Sequence, residues 1–340
     1  MSPWSAIGAS VARAPSPHNT QPYRLRVLDD ATAEIVFLPT RGLPTADPHG
    51  RFTWLTAGIV AEIASIAAHG LGHELAVAWD LSPMYPGGDT ETPQTVARLT
   101  LTPAGAPVPD LDPALILQRQ TSRLPYDGRP LAAGVVAELK VEAARHGHAF
   151  EVRSDPQAIA SVVELNKRAL FHDLDDDDLR TELTRWLRFD AREEGLTRDG
   201  LSARCLGFSP TLLRSFFLQH RFWTLPGVRH VVGRVYGATM RGIGTIGWLR
   251  GHYTSSADWI AAGRLMIRLW LIVTRAGCVW HPYGSVITSE AARRAMIDML
   301  ELRPEQGEED MVWLLLRLGT SPRPPESLRL DQAEILLCAR

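Results

Sequence analysis

Apolar positions recur along this chain with two different periods, and the switches between them mark out its elements. Residues 5–13 carry a helical pattern, and residues 25–27 and 33–38 alternate as two strands around the turn Asp29-Asp30-Ala31-Thr32. A nearly unbroken apolar and small-residue run over 51–69 predicts a core helix. The loop Pro44-Thr45-Ala46-Asp47-Pro48-His49-Gly50 can cap it, and Gly70 and Gly72 stop it. Alternation resumes over 75–80 and 96–102, across a Pro/Gly-rich turn at 83–93. Pro103, Pro107 and Pro109 end the second of these strands and make a linker up to Leu111. A second unit follows: helices over 113–120 and 132–146, a strand near 149–153 and a helical region over 155–194. Residues 265–280 read as a buried helix despite Arg268 and Arg275. The expected division is therefore 1–108 and 109–340.

An internal repeat supports two related units. Trp54-Leu55-Thr56-Ala57-Gly58 recurs as Trp259-Ile260-Ala261-Ala262-Gly263, and each copy opens an apolar helix that ends in glycine, at Gly70/Gly72 and at Gly277. A duplicated α+β unit is expected. Just before the second copy, residues 205–251 combine Phe216-Phe217, Phe222-Trp223, Tyr236 and Trp248 with eight glycines and several arginines. This stretch is too apolar for a free linker and too glycine-rich for one regular helix. It reads as a lid over a pocket, or alternatively as an interface or membrane-surface patch.

Composition narrows the class. The 340 residues are 45% hydrophobic and 22% charged with a formal net charge of −2, which fits a globular chain. No basic stripe suggests nucleic acid. Three cysteines, far apart and in no ligand-type spacing, point to a reduced, cytoplasmic protein without a disulfide framework or metal. The start lacks a signal-peptide pattern, and no uncharged apolar run has the length of a membrane span. Gly242-Ile243-Gly244-Thr245-Ile246-Gly247 matches a dinucleotide fingerprint in letters only, because no helix start or acidic residue follows at the required distance. The run Asp175-Asp176-Asp177-Asp178 serves a helix dipole better than a metal, and glycines separate His69 from His73. No hydrolase or zinc motif is present.

Two stretches carry candidate chemistry. Ala14-Pro15-Ser16-Pro17-His18-Asn19-Thr20-Gln21-Pro22-Tyr23-Arg24 is held stiff and extended by its prolines, so its polar groups are positioned at low entropic cost. It is either a capped turn between helix and strand or a surface that hydrogen-bonds a flat polar ligand. Gln118-Arg119-Gln120-Thr121-Ser122-Arg123 places two guanidinium groups and a hydroxyl where they suit a phosphate, or else a solvated charged face. The arm Ser321-Pro322-Arg323-Pro324-Pro325-Glu326-Ser327-Leu328-Arg329 can add a further cation.

Together these stretches resemble the nitroreductase family of FMN proteins, and more narrowly its Acg-like branch, in which one chain carries two nitroreductase-type halves. The resemblance rests on residues 14–24, 119–123, 182–188 with 198–201, 259–282 and the closing 316–329. It implies a nitroreductase-like α+β fold: two tandem halves with mainly antiparallel sheets flanked by helices, forming a pseudo-dimer. It implies one FMN between the halves, with Arg119, Thr121, Arg123 and Arg329 at the phosphate and Pro15, Ser16, Pro17, Asn19 and Gln21 facing the ring. A segment at Tyr283, Gly284 and Ser285 would lie near flavin N5, and the chemistry would need no catalytic side chain. The implied function is two-electron transfer to or from a small organic substrate, with NAD(P)H as a candidate donor; the alternative is an FMN-sequestering protein whose lid closes the pocket. A monomeric pseudo-dimer or a homodimer would suit either. Gln120, Tyr23 and Ser327 depart from the family pattern, where Arg, Trp and a basic residue are usual.

Overall fold

A computed structural model describes residues 2–106, 111–218, 225, 227–301 and 312–338. The first half runs α1 (Pro3–Val11), β1 (Tyr23–Val27), β2 (Thr32–Phe37), α2 (Arg51–Gly70), β3 (His73–Trp79) and β4 (Gln94–Pro103). The second opens with α3 (Ala114–Gln118), α4 (Ala133–Arg145) and β5 (Ala149–Arg153). It then leaves the sheet for α5 (Pro156–Asp175), α6 (Asp177–Arg185), β6 (Leu187–Arg188), α7 (Ala191–Thr197), β7 (Leu201–Ser202), α8 (Ala203–Leu206), α9 (Pro210–Leu218) and α10 (Val228–Thr239). It returns through β8 (Thr245–Arg250), α11 (Ser256–Arg275), β9 (Val279–Pro282), α12 (Gly284–Thr288), α13 (Glu290–Met299), β10 (Val312–Gly319), α14 (Gln332–Ile335) and β11 (Leu336–Cys338).

The two main sheets have one plan. In the first the strand order is β1-β2-β4-β3, with β11 added outside β1; in the second it is β5-β8-β10-β9. All these neighbours are antiparallel except β1 and β11, which pair in parallel, Leu25 opposite Leu336. In each half a long helix connects the second strand to the third, α2 in one and α11 in the other. The tight turn between β1 and β2 corresponds to the whole excursion from α5 to α10 between β5 and β8.

α2 and α11 cross at the centre of the main core, and their repeated motifs meet there. A methyl group added to Gly58 would overlap the carbonyl oxygen of Ile260, and one added to Gly263 would overlap that of Leu55. Leu55 and Ile260 hold the same place in the two copies, so the contact is reciprocal. Only glycine permits such an approach of two backbones. α2 is long and apolar enough to cross a membrane, but 89% of that window is buried. A partly buried ion-pair network closes the crossing: Glu62 of α2 meets Arg264 Nε at 2.7 Å and Arg268 Nη1 at 2.8 Å, and Arg268 also reaches Glu142 of α4.

Two features of the chain differ from the sequence expectation. β8, with Trp248 1% exposed, is an interior strand of the second sheet, so the expected lid range 205–251 contains core structure at its end. Periodicity was masked there because residues 245–249 are buried on both faces. The C-terminal residues add β11 to the sheet of β1–β4, so that sheet draws on both ends of the described chain. Phe222 and Trp223 lie outside the described residues.

Candidate functional site

The loop between α1 and β1 is a tight, strained structure. Residues other than glycine rarely take left-handed backbone, yet His18, Asn19 and Gln21 have φ of 48°, 55° and 51°. Such residues cost of order 1–3 kcal/mol each and persist where their surroundings fix them. Here the surroundings are two other segments. Asn19 donates through Nδ2 to the carbonyls of Gly200 (3.2 Å) and Leu328 (3.1 Å). Gln21 donates through Nε2 to Arg198 O at 2.9 Å and accepts at Oε1 from Leu330 N at 2.9 Å. Ser16 Oγ accepts from Gln21 N at 2.9 Å, and Pro17 opens a single 3-10 turn over Pro17–Asn19. Pro15 is buried beside them. The loop thus joins the C-terminus of α7 to the C-terminal arm. Asn19 Oδ1 remains a buried acceptor with no partner among the described residues.

The arginines gather against this loop. Arg119, 5% exposed, donates from Nη2 to Arg13 O at 3.1 Å, and its guanidinium lies 4.1 Å from the centre of the Trp270 ring. Trp270 in turn packs on Trp280, ring centres 4.7 Å apart. Arg329 donates from Nη1 to Ala14 O at 2.6 Å. Burial, with Arg329 and Arg13 nearby, pushes Arg119 well below the usual guanidinium range; burial beside Arg13 pushes Arg329 down to about 9. No Asp or Glu carboxylate pairs with Arg119 or Arg329 among the described residues. The nearby Glu326 pairs with Arg323 and also lies within electrostatic reach of Arg13 and Arg204.

Arg123 belongs to a different neighbourhood, facing Cys205, Arg317 and Tyr126, and it also faces His18. Burial and then Arg123 push His18 down to about 4. Thr121 forms an isolated parallel bridge with Trp280, which fixes the 119–123 segment along the edge of β9. Tyr283 is 1% exposed, its N–H bonded to Leu315 O at 3.0 Å and its hydroxyl near Met240 Sδ at 3.8 Å; Gly284 is exposed at the start of α12.

The three stretches singled out in the sequence are therefore adjacent in space: 13–21, 119–123 and 328–330. The departures from the family pattern have local partners. Tyr23 donates to Thr53 O at 2.6 Å, Gln120 reaches Glu326 at 3.5 Å and Ser327 Oγ approaches Cys205 Sγ at 3.6 Å. Sequence reasoning gave no site role to Arg13, His18, Trp270 or Arg198, although the last three stand in stretches that carry the resemblance; their contacts here are tertiary. A cavity of about 20 Å³ beside the loop is lined by Ala14, Ser16, Gln21 and Ile335 among others. A surface cleft of about 480 Å³ among Asp190, Arg214 and Leu218 shares no residue with the arginine group. Among the described residues no cluster of His, Cys, Asp and Glu could hold a metal.

No family model matches the chain. In sequence it is 32% identical over 174 residues to two Mycobacterium tuberculosis proteins provisionally named NAD(P)H nitroreductases, from strains CDC 1551 / Oshkosh and H37Rv. That alignment covers 51% of this chain and 48% of each relative, so the chain spans about half the length of the curated relatives it matches. Distant likenesses among solved structures include the FMN-dependent nitroreductase NfnB from Mycobacterium smegmatis in complex with NADPH (TM-score 0.40, 14% identity, 66% of this chain and 96% of that one). Iodotyrosine deiodinase bound to FMN and 3-iodo-L-tyrosine is another (TM-score 0.38, 13% identity, 64% and 93%).

Proposed function

We propose that the chain is an FMN-dependent oxidoreductase of nitroreductase type, made of two tandem halves that hold one FMN between them. The observation that carries this reading is Arg119, buried with no carboxylate partner among the described residues, beside the half-buried Arg329; the two donate to the carbonyls of Arg13 and Ala14 at the start of the opening loop. Taking a cation out of water costs several kcal/mol unless an anion joins it. A π face and a carbonyl stabilise Arg119 without neutralising it, so its charge stays available to a phosphate. The matching strand orders and the reciprocal Gly58 and Gly263 contacts support a pseudo-dimer, since a two-fold interface puts the same patch on both sides.

In this reading Arg119, Arg329 and Arg13 hold the phosphate, with Thr121 next to them on the edge of β9. Asn19 offers its unpartnered Oδ1 to a ring N–H, and Pro15, Ser16, Pro17 and Gln21 shape the surface around it. Bound FMN would supply two-electron transfer at N5, with Gly284 the candidate for the neighbouring backbone. The protein's part is to bind, orient and exclude water.

The contacts of α8 favour a second reading, FMN sequestration with little turnover. Arg204 donates to Glu326 O at 2.7 Å and Cys205 Sγ approaches Pro325 O at 3.6 Å, so the start of the 205–251 segment lies on the arm that borders the site. Anaerobic addition of NADPH to the FMN-loaded protein decides between the two. A reductase bleaches with NADPH. A sequestering protein bleaches with dithionite alone.

A further inference from the structure

The side chain of Asn19 is held in one orientation. Its amide nitrogen donates to two backbone carbonyls, Gly200 O and Leu328 O, while Oδ1 is buried with no partner among the described residues. Carbonyls only accept, so the amide cannot turn over without losing both bonds. The backbone repeats the link, because Gly200 N donates to Asn19 O at 3.1 Å. The direction of the free acceptor therefore depends on where residue 200 sits.

Asp199 sets that place. It is 5% exposed and engages two guanidinium groups. Arg188 donates to its Oδ1 from Nε at 2.9 Å and from Nη2 at 2.5 Å, and Arg41 donates to its Oδ2 from Nη2 at 2.5 Å. Such charge-assisted bonds are about twice as strong as neutral ones. Arg41 Nε donates in turn to Thr20 O at 2.7 Å. The contacts close a circuit: Asp199, Arg41, Thr20, Asn19, Gly200 and back to Asp199. Each step is a hydrogen bond or a peptide bond, so no member moves alone. Trp186 backs the circuit, its ring centre 5.5 Å from the Arg41 guanidinium and 5.8 Å from that of Arg188. Gly200 has φ of 75°, and a methyl group there would stand 2.5 Å from Trp186 O, so the chain is confined on that side too. The stretches 182–188 and 198–201 thus meet the opening loop through Arg188 and Asp199.

We infer that Asp199 is a positioning residue for Asn19: acting through Arg41 and Gly200, and touching no ligand itself, it fixes the direction in which Asn19 Oδ1 accepts a hydrogen bond. The inference rests on the reading in which the opening loop faces a flavin. It adds that selectivity for the imide N–H of the ring depends on a carboxylate held by two arginines outside the loop.

Two ligands and two variants test it on the full chain. FMN carries the imide N–H, and FMN methylated at ring N3 lacks it. Fluorescence titrations of both are made with wild type, Asp199→Ala and Arg41→Ala, with circular dichroism as the control on folding. Wild type should bind FMN about 10-fold more tightly than the methylated form, the worth of one hydrogen bond. Each substitution should weaken FMN about 10-fold and the methylated form no more than about twofold, so that the preference collapses. If Asp199→Ala does not fold, Arg41→Ala still breaks the circuit from its other side. Equal weakening of both ligands marks a merely structural carboxylate and overturns the inference. So does a wild type without preference, an outcome the FMN reading survives if Arg119→Gln loses FMN. A wild type that binds neither ligand ends the FMN reading instead. The positioning role is then decided by hydrogen exchange of the ligand-free chain: exchange at Gly200 N–H should quicken about 10-fold or more in Asp199→Ala while α2 is unchanged, and unchanged exchange there overturns the inference.

Discussion

The guanidinium of Arg119 lies 4.1 Å from the centre of the Trp270 ring, with Trp280 packed behind that ring. This stack helps a nearly buried cation remain without an acidic partner among the described residues. A desolvated cation–π contact contributes about 2 kcal/mol. Trp270→Leu should therefore weaken FMN about 10-fold or more, and Trp270→Phe should recover most of the loss. A fluorescence titration of FMN checks both, and equal affinity in wild type and Trp270→Leu would show that the Arg13 carbonyl alone positions Arg119.

Gly58 and Gly263 make equivalent contacts from opposite helices, each against the other's motif carbonyl. Gly58→Ala and Gly263→Ala should each destabilise the fold by about 1–3 kcal/mol, the usual cost of overpacking. The two act on one crossing, so their effects should be less than additive. Urea denaturation of the two single variants and the double variant measures this; strictly additive losses would argue against a shared crossing.

Gln21 ties three segments with one amide group, and Gln21→Ala leaves Leu330 N–H and Arg198 C=O without it. The expected loss is about 1–3 kcal/mol, and hydrogen exchange should quicken around residues 198–200 and 328–332 while α2 stays protected. Uniform quickening throughout the chain would instead indicate a global effect.

Asp47 caps the start of α2, accepting from Thr53 N and Thr53 Oγ1 at 2.9 Å each. Burial nevertheless pushes its carboxyl up to about 6. A carboxyl whose folded value exceeds its unfolded one, about 3.9, adds stability below that unfolded value. The contribution falls away as pH rises through about 6. Asp47→Asn removes this titration and keeps an acceptor for Thr53. The stability of Asp47→Asn relative to wild type should therefore increase between pH 4 and pH 7, which paired denaturant curves report; a constant difference would mean that Asp47 is ionised throughout.

Much of the fold was legible because its signals are local. The alternation at residues 25–27 and 33–38, the apolar run of α2 and the stops at Gly70 and Pro103 state their structure in a few residues. The repeated Trp-x-x-x-Gly motif announced two matching helices, although not that they cross or that the two glycines touch each other's helices. The candidate site was legible in pieces. Its two arginine-bearing stretches and its proline loop lie far apart in sequence, and a family resemblance joined them before the structure did. Trp270 gave no signal, since an aromatic on a buried helix normally only fills the core. Nothing in the sequence paired Asp199 with Arg41, which stand 158 residues apart. β8 was missed because it is buried on both faces, and β11 because three residues are too few to show a period.

The central claim is that the Arg119 group and the opening loop hold one FMN. Its most direct test is the flavin absorbance of purified, FMN-saturated wild-type chain beside that of Arg119→Gln, with circular dichroism as the control on folding. The account predicts one FMN per wild-type chain and little or none in a folded Arg119→Gln. Stoichiometric FMN in that variant, or a wild type that takes up no FMN, would contradict it.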